Sequence, residues 1–407
     1  MILLFTVWCI DYIDRSVIGV ALPLIGKDLG LEKGQLGLVI SVFFLAYAAA
    51  QLPGGMLADK FGAMRIAVIG LIAWSIFTGL TALATSFVTL IAIRILFGLA
   101  QGIFPGAAMK LLAERSLPDE RMTANGWVNS SNAIGVVMAM IVAAILLPLV
   151  GWRGMFLVIS IFGIVITFVF IKGMPAPMHD VPANDVAKGR TAALLRTPAM
   201  WWFALAFFGY DILIWGWNAW TATYLQEEFA LSPSASALLA LPPGLAAALM
   251  IVLAGRYSDR IGGNPIRLIV PGMTIAGLLV ISLPFMPNVF TYVAATTLIV
   301  GLASSAYIGS FSIPIKQLDP KVTGIAAGMI LLGGMIAGVL SPTIVGFLAQ
   351  NSGWTAAWMF LGLGAVVSVI AAYAAPRNAE AFRARVPSSL LYHAPATDVV
   401  PGKDLAK

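Results

Sequence analysis

The sequence predicts an all-α integral membrane protein, with twelve spanning helices arranged as two six-helix pseudo-symmetric halves. Three observations carry that prediction. Of the 407 residues, 60% are hydrophobic and only 10% charged, and the mean hydropathy is +0.94. A soluble domain holds about 45–50% apolar and about 25% charged residues. Apolar runs of roughly the 20-residue length that crosses hydrocarbon recur along the whole chain. One glycine-and-charge motif also appears twice, at corresponding places in the two sets of runs.

The runs fall at about 2–23, 35–57, 65–85, 87–110, 122–148 and 154–173, then near 200–225, 234–256, 266–286, 289–314, 322–349 and 355–375. A polar stretch from Lys172 to Arg196 separates the sets, and a polar tail follows Arg377. The expected organisation is a first half at 1–173, a cytoplasmic linker at 174–198, a second half at 199–376 and a cytoplasmic tail at 377–407. No length remains for a large soluble domain or a nucleic-acid module. Asp11, Asp14 and Arg15 interrupt the first run, so no cleavable signal peptide is expected. The missing hydrophilic lead before that run points to a trimmed or misassigned start.

Placing both termini in the cytoplasm puts 19 Lys and Arg on the inner side, against Lys27, Lys33 and Arg153 outside. That asymmetry is a strong positive-inside bias, and a multi-pass protein of the cytoplasmic (inner) membrane is expected. The single Cys9 and two histidines exclude a disulfide framework and leave little for metal or imidazole chemistry. No metal or other cofactor is expected, only a proton as coupling ion. The chain has no Walker A, H-E-x-x-H or G-x-S-x-G sequence, so ATP hydrolysis and membrane hydrolase chemistry are not expected.

The repeated motif is GMLADKFG, with Gly55, Asp59, Lys60 and Gly62, and its copy GRYSDRIG, with Gly255, Asp259, Arg260 and Gly262, 200 residues later. Gly151-Trp152 and Gly353-Trp354 form a second echo between spans five and six and between eleven and twelve. Parallel repeats predict a binding site at their interface near mid-membrane. The glycines are expected to let helices approach closely, and Asp59 with Lys60 or Arg65 to cap helix ends and pair across a cytoplasmic gate.

On these two motifs the chain resembles the major facilitator superfamily, which implies that superfamily's fold and a transport function. A finer resemblance lies in DYIDR, Asp11 to Arg15 of span one, which is similar to the N-Y-x-D-R element of its anion:cation symporter family. In span four, RILFGLAQGIFPG from Arg94 is similar to that family's R-x-x-x-G-x-x-E followed by a proline-glycine step. The resemblance implies a substrate-binding arginine at Arg94, a tyrosine beside the substrate at Tyr47 and a proton-carrying glutamate at position 101. Here that position is Gln101, which cannot titrate.

The ionisable residues left within spans carry the functional reading, because an ionised side chain at bilayer depth needs a partner or a cavity. Asp11, Asp14 and Asp211 are the proton-coupling candidates. Asp11 and Arg15 stand i,i+4 on one helical face and can pair, so Asp11 reads equally as proton carrier or as permanent counter-ion. Arg94 stays ionised, and its planar fork suits a carboxylate; the alternative is a structural pair with Asp14 or Asp11. Gln101 lies i,i+7 from Arg94, within reach of the same ligand. Asn125, Asn129 and Asn132 form a stripe on span five, whose alternative role is helix-to-helix hydrogen bonding. In span seven Asp211, Trp215 and Asn218 share a face beside Tyr210 and Trp217. Gln51 shares a face with Tyr47, and Ser304 and Tyr307 of span ten complete the candidate lining.

A monomeric alternating-access transporter importing a small organic anion, a carboxylate, with protons is therefore expected. An anion exchanger without proton coupling is the main rival, favoured by Gln101. A drug exporter is favoured by the aromatic span seven and disfavoured by two buried arginines. Membrane lipid is the only other expected partner. Sugar acids would need many hydroxyl partners and aromatic acids stacking on Trp215 or Trp217, and the sequence holds both sets.

Overall fold

The computed structural model describes residues 1–117, 124, 127, 128, 130–178 and 188–392. Within them, ten helices are long and apolar enough to cross a membrane by length and composition alone. Span one, Ile2–Leu29, adds another crossing; Asp11, Asp14 and Arg15 make it too charged to count on composition. The continuous stretch Ser131–Gly173 contains spans five and six, because Gly151 at φ 65° and ψ 179° breaks it. Twelve crossings result. The others are span two at Lys33–Phe61, three at Ala63–Thr81 and four at Phe87–Glu114. Span seven is Pro198–Glu228, eight Pro233–Arg260, nine Pro265–Phe285 and ten Val289–Gln317. Eleven is Pro320–Asn351 and twelve Gly353–Ala374. The linker lies partly outside the described residues, as does the tail from 393 onward.

Local chemistry sets the helix ends. Span one continues through Pro23, beyond the expected end near residue 23, until Gly30 adopts a left-handed conformation at φ 64° and returns its N–H to Gly26 O. Spans four and ten start on equivalent capping boxes: Ser86 and Asn288 each accept from the backbone N–H of a threonine three residues on, and that threonine, Thr89 or Thr291, accepts in return. Ile161, Phe168, Leu249, Leu278 and Ile370 are exposed on the bundle surface. A lipid solvent tolerates such a surface, and water would not.

The internal repeat is structural. Residues 51–60 and 251–260 have the same order of buried, half-buried and exposed positions. Gly62 (φ 92°) and Gly262 (φ 67°) take left-handed conformations that end spans two and eight. The expected close approach at Gly55 and Gly255 is not what their missing side chains provide, since a Cβ on either would enter open space. Contact there comes instead from Gly106, where a Cβ would meet Gly55 Cα at 2.7 Å.

In this conformation the motif aspartates have partners other than Lys60 or Arg65. Asp59 binds Lys110 at 2.7 Å and Asp259 binds Lys316 at 2.6 Å, each within its own half. Spans four and ten end beside spans two and eight, so their terminal lysines reach these carboxylates first. Lys60 lies over the Phe61 ring at 5.1 Å, and Arg65 and Arg260 are exposed.

The Gly-Trp echo performs one structural task twice. Gly151 (φ 65°) and Gly353 (φ 82°) turn the chain into spans six and twelve. The following indoles donate to the carboxylate ending the first span of each half, Trp152 to Asp28 at 3.2 Å and Trp354 to Glu227 at 3.1 Å. The partner cation then differs. Arg153 of the same half binds Asp28 at 2.9 Å, whereas Lys33 of the opposite half binds Glu227 at 2.8 Å.

Lys33–Glu227 belongs to a clasp joining the halves at the base-poor end of the bundle. Glu32 accepts from the Gln350 amide at 2.6 Å, Gly34 N–H donates to Gln350 at 3.0 Å, and Thr343 donates to Ser41 at 2.7 Å. A Cβ on Gly37 would meet Thr343 Cα at 2.8 Å, so spans two and eleven touch backbone to backbone. Spans one and seven, two and eleven, and five and eight form the seam. At the base-rich end span eleven loosens, and Gly324 and Gly328 face open space, while Gly333, Gly334 and Gly338 are packed against spans seven and two.

Candidate functional site

Between the halves lies a small cavity of about 40 Å³, walled by spans one, two, four and seven. Arg15 and Arg94 line it, with Phe43, Phe44, Phe97, Trp215, Ser16 and Asn218. Gly19 allows spans one and seven to close its rim, since a Cβ there would meet Asn218 O at 3.2 Å.

The two arginines stand in different electrical situations. Arg15 donates to Asp11 Oδ2 at 2.9 Å within span one, and to Gln101 Oε1 of span four at 3.4 Å. Its guanidinium is also caged by the rings of Tyr47 at 4.4 Å, Tyr12 at 5.0 Å and Phe43 at 5.6 Å, a cation–π environment strengthened by desolvation. Arg15 is thus neutralised and held from several sides. Arg94 is 2% exposed and makes no ion pair within 4 Å among the described residues. Its Nε and one terminal nitrogen have no hydrogen-bond partner, and Phe97 and Phe156 flank it at 5.2 and 5.4 Å. A buried guanidinium edge left unsatisfied costs free energy until an acceptor arrives, and a carboxylate matches that edge in a bidentate pair.

Gln101 meets different partners from those its spacing suggested. Its Oε1 accepts from Arg15 and its Nε2 donates to Asp11 O at 3.2 Å. The amide is therefore engaged at both ends by span one and lies outside the lining of the cavity. Tyr47 is 3% exposed and stacked on Arg15, outside the cavity lining. Asp14, 2% exposed, has one carboxylate oxygen without a partner and stands near Arg94 and Thr78.

Asp211 is buried in the second half beside Gly334 and Phe207, with no ion pair among the described residues. Trp215 and Asn218 line the cavity as their spacing suggested, whereas Tyr210 and Tyr307 pack around Phe207 below it. The Ser304 hydroxyl is spent on Val300 O at 2.7 Å in its own helix. Asn132 is exposed and Gln51 half-buried, both outside the lining. Asn125 and Asn129 lie outside the described residues.

Reading by residue type missed Phe43, Phe44 and Phe97, which make much of the wall, and the lysines that hold the two motif aspartates. The signal for Phe43 was present: it lies i,i+4 from Tyr47, on the face already singled out.

Among the described residues, twelve crossings in two repeated halves surround a central charged cavity, the arrangement of a membrane transport protein. The family model for the Major Facilitator Superfamily matches residues 4–330 and 244–398, and the chain belongs to that superfamily. It is a transport protein and not an enzyme. It is 30% identical to the Probable sulfoacetate transporter SauU of Cupriavidus necator, over 88% of this chain and 90% of that one. Identity to the Hexuronate transporter of Bacillus subtilis is 27%, over 91% and 92% of the two chains. A solved bacterial homolog of the human lysosomal transporter Spinster, inward-facing and unoccupied, superposes with a TM-score of 0.81 at 21% identity, over 95% of this chain and 98% of that one. That likeness shows the shared fold.

Proposed function

We propose that the chain imports a small organic anion, a carboxylate, by proton symport through alternating access, as a monomer in the cytoplasmic membrane with both termini inside. The observation that carries this reading is Arg94, buried at the interface of the halves with a hydrogen-bonding edge that no described residue claims. The names of the relatives, transporters of hexuronate and sulfoacetate, support an anionic cargo.

With the base-rich end inside, the Lys33–Glu227 clasp closes the outer face. In the proposed cycle the clasp parts, a carboxylate enters and binds Arg94, and Arg15 contributes field from beside it. Protonation of Asp11, Asp14 or Asp211 offsets the charge taken out of water. The halves then rock about spans one, two, seven and eleven, the clasp reforms, and the loosened base-rich end releases the cargo. Uptake of labelled organic anions into proteoliposomes, with and without an inward proton gradient, tests this. Accumulation that needs the gradient is the expected result.

Gradient-independent exchange that requires internal anion is the second reading. One observation favours it: Gln101, where the resembled family places a titratable group, is an amide committed at both ends to span one.

The clasp makes a prediction of its own. The side chains of Lys33 and Glu227 are 25% and 38% exposed, so their pair is worth at most about 1 kcal/mol. Lys33→Ala is expected to shift the population toward an outward-open state by no more than about fivefold. Distances between spin labels on spans two and seven at that end would report it. An unchanged distance distribution would mean that backbone packing at Gly37, not the ion pair, holds the face shut.

A further inference from the structure

We propose that the groove between spans seven and eleven, on the side of the second half, is a binding site for one anionic phospholipid, its phosphate on Arg196 and an acyl chain along the apolar wall. The groove measures about 580 Å³, against about 40 Å³ for the cavity between the halves. Span seven lines it with Trp201, Trp202, Leu205 and Phe208, and span eleven with Leu332 and Ile336. Trp201 is 45% exposed, Leu332 43% and Ile336 45%, so the groove opens on the bundle surface. Its floor is the crossing of the two spans, since Gly333 and Ala204 also line it and a Cβ on Gly333 would run into Ala204 O. The lining runs along span seven from Pro198 to Phe208, a rise of about 15 Å. That is one leaflet of a hydrocarbon core about 30 Å thick, the depth of a single lipid tail.

Charge stands at one end of this groove alone. Arg196, just before span seven begins, is the charged residue of the lining among the described residues, and the rest of the wall is apolar or indole. It is exposed and makes no ion pair among the described residues. Trp201 and Trp202 stand next to it, the residue type that settles at the level of lipid head groups, and the Trp201 indole is pinned there by donating to Leu195 O at 2.8 Å. A basic pocket between membrane helices, with apolar walls beneath, suits an anionic head group with its tail attached. The lining holds no carboxylate among the described residues, so the amine of a zwitterionic head group would find no counter-ion beside the guanidinium. A free anion would gain Arg196 and leave the apolar wall unused. With the base-rich end inside, as proposed above, the site belongs to the inner leaflet.

The test is tryptophan fluorescence of the purified full chain in phosphatidylcholine nanodiscs, into which phosphatidylglycerol or phosphatidylcholine brominated midway along its chains is introduced at rising mole fraction. Brominated phosphatidylglycerol is expected to give a quenching component that saturates at low mole fraction, and brominated phosphatidylcholine a quenching that only rises in proportion. Arg196→Gln is expected to weaken the saturable component about fivefold, and Arg196→Lys to keep most of it. Trp201→Phe combined with Trp202→Phe is expected to abolish it by removing the reporters at the site. Arg196 is exposed, so its substitution leaves the fold intact, and if the double tryptophan variant fails to fold the Arg196 comparison decides alone. Identical behaviour of the two brominated lipids on the parent overturns the proposal. Saturable quenching that persists undiminished in Arg196→Gln, or in the folded double tryptophan variant, places the lipid elsewhere and overturns it as well. Displacement of the saturable component by millimolar inorganic phosphate would make this a free-anion site and overturn the lipid reading.

Discussion

Arg94→Ala is expected to weaken carboxylate binding by roughly thirtyfold or more, the equivalent of about 2 kcal/mol, the low end for truncating one side of a desolvated charge pair. The loss falls on this residue and not on Arg15 because of what each already holds. Arg15 has Asp11, Gln101 and three aromatic faces around it, so an incoming anion gains little there that is not already satisfied. Arg94 holds two nitrogens without partners, and the anion relieves them. Arg94→Lys keeps the charge and loses the fork, so it is expected to recover only part of the affinity. Calorimetric titration of the three proteins with one carboxylate gives the comparison, with thermal unfolding run beside it, because Asp14 loses its nearby cation in the alanine variant. Unchanged affinity in Arg94→Ala would place the anion elsewhere and withdraw the assignment of the cavity.

How much of this could be read beforehand follows from the range of each interaction. The bilayer imposes helices on every crossing, so span number and the two halves were legible from apolar runs and a motif repeated at a 200-residue offset. The Asp11–Arg15 pair was legible as well, because i,i+4 contact is a property of the helix itself. Gln101 was not. Its partners come from 86 and 90 residues away, and helical spacing pointed it toward Arg94 when a neighbouring helix took it instead. The aromatic wall was invisible for another reason. Phe43 and Phe44 sit in an apolar run, and a phenyl ring facing a cavity has the same composition as one facing lipid. Lys110 and Lys316 were counted for topology, but their offset of 206 rather than 200 residues hid their equivalence.

Asp11→Asn is expected to produce the other large effect, and it separates the two roles the sequence left open. Removing one member of a buried ion pair costs about 3–5 kcal/mol, because the remaining charge stays desolvated. Arg15 keeps the rings of Tyr47 and Tyr12 over its guanidinium, which offsets part of that cost, so a folded but less stable protein is the expected outcome. If Asp11 carries the coupling proton, the surviving protein exchanges anions without accumulating them under a proton gradient. If Asp11 is a permanent counter-ion, stability falls while gradient-driven accumulation persists. The double variant Asp11→Asn with Gln101→Glu adds an independent constraint. Gln101 Oε1 already stands 3.4 Å from the Arg15 guanidinium, so a carboxylate there can take over the pairing from the neighbouring helix. Rescue is expected to be partial, since the glutamate would lose the bond that Gln101 donates to Asp11 O and place a negative oxygen against that carbonyl. A double-mutant cycle on thermal stability should therefore show a favourable coupling between positions 11 and 101. Additive losses would mean that Arg15 is held by its aromatic cage and not by the carboxylate, and Asp11 would then be free to bind and release protons without disturbing the site.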